Sequence, residues 1–432
     1  MHRHPGDDAP GEVADPGPPP GRARSALGPG RWRSPVRGPW LTSVFGLVLL
    51  IGIPIEFLTG LASYAAYNPG FRSNDPNPKH GLFGLYLFDW LTSPGWVYRL
   101  TEGVHVMLGL ALVPVVLAKL WSVMPKLFAW PRRPSVAQVL ERASLILVVG
   151  GVAVEMTTGI LNIDYLTTIN FYSAHFFGAW AFIAGFVVHV CLKFGDMLTA
   201  LRSRRLRTEL RTGLAETRPE EADDGLVPLE PAAPTISRRG ILALVGGTSL
   251  VVVLSNAGDT IGGFTRRFAV FGTHYRSNGP AGNDFPVNHT AAARRIAASQ
   301  TGPDWRLVVT GTQRLSVSRT QLTSMRLTSA AMPIACTEGW STTQTWTGVP
   351  LADLARLAGI ERPGSARIES LDSLTVMLSA VQIGAADAML ALRVNGADLS
   401  PDHGFPARVM VPAAPGTHNL KWIKRIAFSE AS

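Results

Sequence analysis

Five long apolar runs constrain this chain before any single motif does. They lie at about 42–65, 100–121, 140–162, 171–194 and 240–257, each near the roughly 20 residues that a bilayer core requires, the last being short. Hydrophobic residues make up 46% of the chain and charged residues 16%, and the apolar share is concentrated in these runs. A formal charge of +9 raises the question of nucleic acid, and the positions of the charges answer it. Arg31, Arg33 and Arg37, then Lys126, Arg132 and Arg133, then Arg202, Arg204, Arg205 and Arg207 gather at alternate ends of the runs. By the positive-inside rule these ends are cytoplasmic. The basic excess is a topology signal, and no nucleic-acid partner is expected. The loops 66–99 and 163–170 then lie outside, as does everything beyond about residue 258.

The expected organisation follows. Residues 1–39, with DAPGEVADPGPPPGRARSALGPG, have no apolar periodicity and read as a disordered cytoplasmic tail. Residues 40–200 read as an all-α transmembrane four-helix bundle, 201–236 as a charged cytoplasmic linker and 237–258 as a fifth, anchoring helix. Residues 259–432 form an extracytoplasmic domain long enough for its own core. No internal repeat is apparent. The whole reads as a multi-pass protein of a bacterial cell membrane, with lipid as its surroundings. The fifth run opens with SRRGIL, Ser237 to Leu242, which resembles a twin-arginine export signal with isoleucine where phenylalanine is commoner. The plainer account is a positive-inside pair before an ordinary anchor. A real signal implies the twin-arginine translocase, whose route carries folded domains.

Histidines inside apolar runs are costly and default to functional hypotheses. His105 lies five residues into the second run and His175 four into the fourth. The two runs cross in the same direction, so both imidazoles sit level near the outer face. Axial ligation of one b-type haem requires such a pair; two separately hydrogen-bonded histidines are the alternative. His189 follows His175 by 14 residues, about 21 Å along a helix. A second haem there needs another ligand, and the other runs offer no histidine at that level, so His189 reads as a packed or quinone-site residue. His80 reads as an exposed or loop-packing histidine. Glu56 and Glu155 are proton or quinone contacts, or hydrogen bonds between helices. Two cysteines make no disulfide framework, and Cys191 is helix packing.

After residue 259 the pattern changes to short β-rich segments: RLVVTG, RIESL, LTVML, MLALRVNG, ARVMVP and WIKRIAF, with helical patterns at RTQLTSM and PLADLARLAG. An α+β, β-rich domain is expected. It holds no nucleotide loop, zinc pair or Ser-His-Asp constellation. Four segments do carry a pattern: FPVNH (Phe285 to His289), CTEGW (Cys336 to Trp340), ESLDS (Glu369 to Ser373) and NGADLSPDHGFPARVMVPAAPGTHNLKWIKRI (Asn395 to Ile426). Their order and spacing resemble the molybdopterin-binding domain of the sulfite oxidase family, and CTEGW resembles the version in the bacterial methionine sulfoxide reductase catalytic subunit.

That resemblance implies a molybdenum cofactor with Cys336 as the protein thiolate on the metal, a soft ligand for a two-electron centre. It implies that Arg408, Lys421 and His403 hold the pterin phosphate, while Asn288, His289, Asp372 and the backbone at Asn419 and Leu420 contact the ring and linker. The chain departs from sulfite oxidases in carrying Val287 and Trp340-Ser341 where they place arginines for the sulfite anion. The membrane part resembles, more loosely, four-helix b-type cytochromes that exchange electrons with quinones. Together these imply a membrane-bound molybdopterin-dependent oxidoreductase that links the quinone pool, haem b and molybdenum. The expected reaction is reduction of a small or protein-bound sulfoxide, or of an N-oxide. The reverse direction, oxidation of sulfite or another reduced substrate, uses the same cofactors. A non-catalytic membrane-anchored binding module is the opposing class, and the retention of Cys336, His403, Arg408 and Lys421 argues against it.

Overall fold

The computed structural model describes residues 32–77, 85–127, 135–163, 166, 168–221, 225–270 and 279–431. His80, Arg31, Arg132 and Arg133, and most of the expected tail lie outside them. Five helices are long and apolar enough to cross a membrane: α1 (Pro39–Ala66), α2 (Val97–Leu127), α3 (Val136–Asn162), α4 (Phe171–Ser203) and, after a short α5 (Leu206–Glu209), α6 (Arg238–Ile261). Their outward faces are bare hydrocarbon; Ile51 is 59% exposed and Leu58 64%. That surface is compatible with a bilayer as solvent. α1 packs on α2 and α4, α3 packs on α4, and α6 leans on α2.

The helices extend beyond the apolar runs, and the expected linker is anchored at Glu209, Thr217 and Glu220, which are buried. The cause is electrostatic. The N-termini of α1 and α6 meet here, each with backbone N–H groups lacking helical acceptors and a partial positive charge. Glu220 accepts a hydrogen bond from the Trp40 amide at 3.0 Å and lies 3.8 Å from the Arg238 guanidinium. Glu209 bridges Arg204 at 2.7 Å and Arg238 at 3.4 Å. Arg238 also donates to the carbonyls of Pro35 and Arg218. Its neighbour Arg239 is exposed.

The C-terminal domain has two five-stranded sheets. In the first, the order is β2 (Arg314–Ser318), β1 (Arg306–Thr310), β10 (Ile423–Glu430), β5 (Pro363–Ser370), β6 (Thr375–Ser379), with only β1 and β10 parallel. In the second, β3 (Thr328–Ala335), β4 (Ser341–Pro350), β7 (Met389–Val394) and β8 (Ala397–Asp398) follow one another, with β9 (Arg408–Met410) also on β7. Strands bury alternate residues, so Leu307 and Val309 of β1, Ile368 of β5 and Ile426 of β10 enter one core with Leu390, Leu392 and Val409. A second cluster, with Met332, Ile334, Trp346, Met389 and Met410, packs around Cys336. This β-rich domain agrees with the expected class.

The Arg238 clasp generates a measurable asymmetry. Arg238→Ala leaves buried Glu220 without its cation and Glu209 with Arg204 alone, and should cost about 3 kcal/mol, whereas Arg239→Ala should stay within about 0.5 kcal/mol. Thermal unfolding of the detergent-purified variants compares them, and equal effects would contradict the clasp.

Candidate functional site

β3 and β4 pair antiparallel up to Ala335 and Ser341, so the five residues between them must reverse direction. Cys336 donates its amide to the Trp340 carbonyl at 3.1 Å, and Gly339 donates to the Cys336 carbonyl at 3.0 Å. Gly339 has φ +91°, a conformation that side-chain-bearing residues rarely adopt. The Trp340 indole donates to Glu338 at 2.9 Å. The turn buries the Cys336 thiol within 3.6 Å of the Asn288 amide nitrogen. Gly416 closes the other side: a Cβ there would stand 3.0 Å from the sulfur, and its amide donates to the Ala335 carbonyl at 3.0 Å.

Two cations act on that thiol. Arg408 on β9 is buried, its guanidinium 5.3 Å above the Trp346 ring, and its Nε has no hydrogen-bond partner. Lys421 donates to the carbonyls of His289 at 2.8 Å and Asp402 at 2.7 Å. The Asp402 carboxylate itself is engaged by the Ala291 amide. His403 stacks on Phe285 with ring centres 3.7 Å apart, and its Nε2 lies 2.9 Å from the Asn283 carbonyl. Asn419 accepts from the Val411 amide at 2.8 Å, which leaves its Nδ2 buried without an acceptor; the adjacent Leu420 carbonyl accepts from Val409. Asp372 accepts from the Ser370 hydroxyl and lies 3.9 Å from Arg294.

Burial dominates the electrostatics. It pushes the Cys336 thiol up to about 12, against the opposing charges of Lys421 and Arg408. Burial first, and the Arg408 charge second, hold Lys421 down at about 7. Desolvation lowers Arg408 to about 10, His289 to about 4, His403 to about 3 and His418 to about 4. The donor set of buried cations and unmet N–H groups around a buried thiol suits an anionic ligand carrying a soft metal. The sequence-expected residues Asn288, His289, Cys336, His403, Arg408, Asn419 and Lys421 thus share one region. Arg294 and Asn283 were not anticipated there, and no local motif marks them; His418 lies within the Asn395 to Ile426 segment but had no assigned role.

The second group of expected residues lines a cavity among α1–α4. His105 and His175 both face it, their ring centres 6.1 Å apart and their planes at 84°. His105 Nδ1 lies 3.1 Å from Glu56 and 3.1 Å from Thr59; His175 Nδ1 lies 3.2 Å from Glu155 and 2.9 Å from Thr158. Here the sequence reading needs correction. The chain does carry an internal repeat, Glu-x-x-Thr-Gly at 56–60 and again at 155–159. Five residues with a polar signature are too few to register as self-similarity until the fold places each beside a histidine. His189 lies further along α4, outside the cavity lining, with its Nδ1 buried and without a partner.

The cavity also reaches Thr337, the residue after Cys336. The Thr337 carbonyl accepts from Asn162 at 3.3 Å, and its hydroxyl lies 3.5 Å from Tyr172. Segments outside the helices add further contacts: Trp90 donates to the Ala413 carbonyl at 2.7 Å, and Asn74 bonds both backbone groups of Met377.

Residues 294–432 match the family described as oxidoreductase molybdopterin binding domain. The segment Phe285 to His289 precedes that match, although the fold brings it to Cys336. A nitrate reductase of Hordeum vulgare is 37% identical over 101 residues, which are 20% of this chain and 11% of that protein. The sulfite oxidase of Gallus gallus is 34% identical over 103 residues, 21% of this chain and 22% of that protein. The chain therefore spans about a tenth to a fifth of the length of these relatives. The crystal structure of the sulfane dehydrogenase SoxCD from Paracoccus pantotrophus covers 29% of this chain, and 38% of its own is covered, at 25% identity and a TM-score of 0.28.

The depressed Lys421 sets a pH dependence. An unfolded lysine titrates near about 10.4, so between about 7 and there the unfolded chain binds more protons. Stability of the cofactor-free protein should rise through that window; the raised Cys336 thiol opposes the rise only above its own unfolded value, about 8.5. The melting temperature of the wild type relative to that of Lys421→Met should therefore rise from pH 7 to pH 8.5.

Proposed function

Because residues 294–432 form a molybdopterin-binding oxidoreductase domain of the sulfite oxidase family, we propose that the whole chain is a membrane-bound molybdenum oxidoreductase with its own b-type haem. The observation that carries this reading is the cavity that runs from His105 and His175 to Thr337, next to the cysteine. The bound groups supply a two-electron molybdenum centre and a one-electron haem carrier. The protein supplies their positions.

Cys336 would supply the thiolate to molybdenum; burial keeps its thiol protonated in the free domain, so it would hold the metal with loss of that proton. Arg408 and Lys421 would stabilise the negative charge and, with His403, hold the pterin phosphate. Asn288, His289, Asp372 and the backbone at Asn419 and Leu420 would orient the ring and linker. In the helices, His105 and His175, their ring centres 6.1 Å apart across the cavity, would hold the haem iron. His189, with its unmet Nδ1, is our candidate contact for a quinone headgroup.

With both groups bound, quinol would be the electron source and an S- or N-oxide the substrate of the molybdenum site. Val287 and Trp340-Ser341, standing in place of anion-binding arginines, favour such a neutral substrate over sulfite. The proposed topology keeps the N-terminus and the clasp in the cytoplasm of a bacterial cell and the molybdopterin domain outside. Ser237 to Leu242 would direct export through the twin-arginine translocase before Arg238 closes its ion pairs.

The direction is tested anaerobically on chemically reduced protein: adding methionine sulfoxide, or other S- and N-oxides, should reoxidise the haem, and Cys336→Ser should abolish that response. Haem reduction by sulfite, with no response to any oxide, would reverse the direction. The ligand assignment has its own readout. His105→Ala and His175→Ala should each lose the reduced b-type absorption bands, while His189→Ala should retain them; loss in His189→Ala alone would refute the pairing.

A further inference from the structure

The repeated Glu-x-x-Thr-Gly element fixes more than the direction of two rings. Thr59 Oγ1 lies 2.8 Å from the Ile55 carbonyl and Thr158 Oγ1 lies 2.7 Å from the Val154 carbonyl. A carbonyl only accepts, so each hydroxyl proton points back along its own helix. Each threonine oxygen can then face an imidazole only as an acceptor, and Nδ1 must carry the hydrogen. For His105 the Glu56 carbonyl, 3.0 Å from the same Nδ1, requires the same tautomer. Both Nε2 atoms are therefore bare lone pairs.

Glycines make room for this arrangement. A Cβ on Gly60 would stand 3.2 Å from the His105 ring, and one on Gly159 would stand 3.7 Å from the His175 ring. On the facing helix, a Cβ on Gly178 would collide with the Glu155 carboxyl group, and one on Gly109 would stand 3.7 Å from that of Glu56. The remaining carboxyl oxygens, Glu56 Oε1 and Glu155 Oε1, are buried and have no hydrogen-bond partner among the described residues. Each carboxyl group thus stands beside an imidazole.

We propose that Glu56 and Glu155 are a matched pair of positioning residues that set the potential of the metal bound between His105 and His175. This deepens the haem assignment above and rests on it. Acceptors on Nδ1 make an imidazole a stronger donor through Nε2, and a stronger donor favours the oxidised metal. Because the two halves repeat, neither histidine is the weak ligand, and each carboxyl group contributes a similar share. The nearly perpendicular rings add a spectroscopic consequence: the oxidised haem should give a highly anisotropic low-spin resonance rather than the rhombic signal of parallel imidazoles.

The test uses the full chain in detergent, with haem content read optically and the midpoint potential by redox titration. Glu56→Gln and Glu155→Gln keep the shape and weaken the acceptor. Each should retain haem and shift the reduced-to-oxidised ratio about tenfold toward the reduced form at fixed potential, 59 mV for one electron, and the double variant should shift it further. Should a glutamine variant fail to assemble, Thr59→Val and Thr158→Val carry the same comparison with a smaller upward shift, while Thr59→Ser leaves the potential in place. Haem retained at an unmoved potential in both glutamine variants overturns the inference alone. A wild-type protein that binds no haem overturns the haem reading and this inference together.

Discussion

The turn from Cys336 to Trp340 has to satisfy two structures at once, and the rest of the molecule is arranged around that demand. It links the two strands of a β-hairpin and, through Thr337, also lines a cavity among helices. Thr260, at the end of α6, donates to the Gly339 carbonyl at 2.7 Å, and its own carbonyl accepts from the Ser341 hydroxyl at 2.5 Å. Asn162 from α3 and Tyr172 from α4 reach Thr337, while Ala66 and Tyr98 from the first helix pair pack with Ala335. The close fit leaves no space for a side chain at position 339: a Cβ there would lie 2.7 Å from Val106 of α2. Gly339 therefore answers to backbone conformation and to helix contact in the same atom.

Burial at this junction creates a tension that the fold does not relieve by itself. Removing Arg408 and Lys421 from water costs free energy, and no carboxylate is paired with either. Their charges favour a thiolate at Cys336, but desolvation of the sulfur prevails and keeps the thiol protonated. A ligand that brings both negative charge and a soft metal would satisfy all three groups. The site is in this sense specified by what its members lack.

The sequence disclosed these features unequally, for physical reasons. The five helices were legible because a bilayer-length apolar run has few other outcomes. RLVVTG and WIKRIAF gave strands through β-branched alternation. β3, TSAAMPIA, and β4, STTQTWTGVP, did not, since the alanines and proline of β3 and the glycine and proline of β4 weaken the strand signal; their pairing is fixed by sheet packing around Trp346 and Met332. The order of HGFP, arginine and Lys-Trp brought Arg408 and Lys421 to attention, whereas Arg294 depends on a contact with Asp372 that no local pattern encodes. The acidic residues of the linker read as solvated charges, and only the meeting of two helix N-termini explains why Glu209 and Glu220 are buried.

The contacts of Trp90 with Ala413 and of Asn74 with Met377 hold the β-rich domain at points away from the cysteine turn. Seated on several separate footings, this domain is no tethered shuttle that must swing between a donor and an acceptor. Under the proposed function, transfer between the cysteine site and the helix cavity would be insensitive to solvent viscosity and to ionic strength, two variables that slow carriers which must diffuse and dock on every turnover.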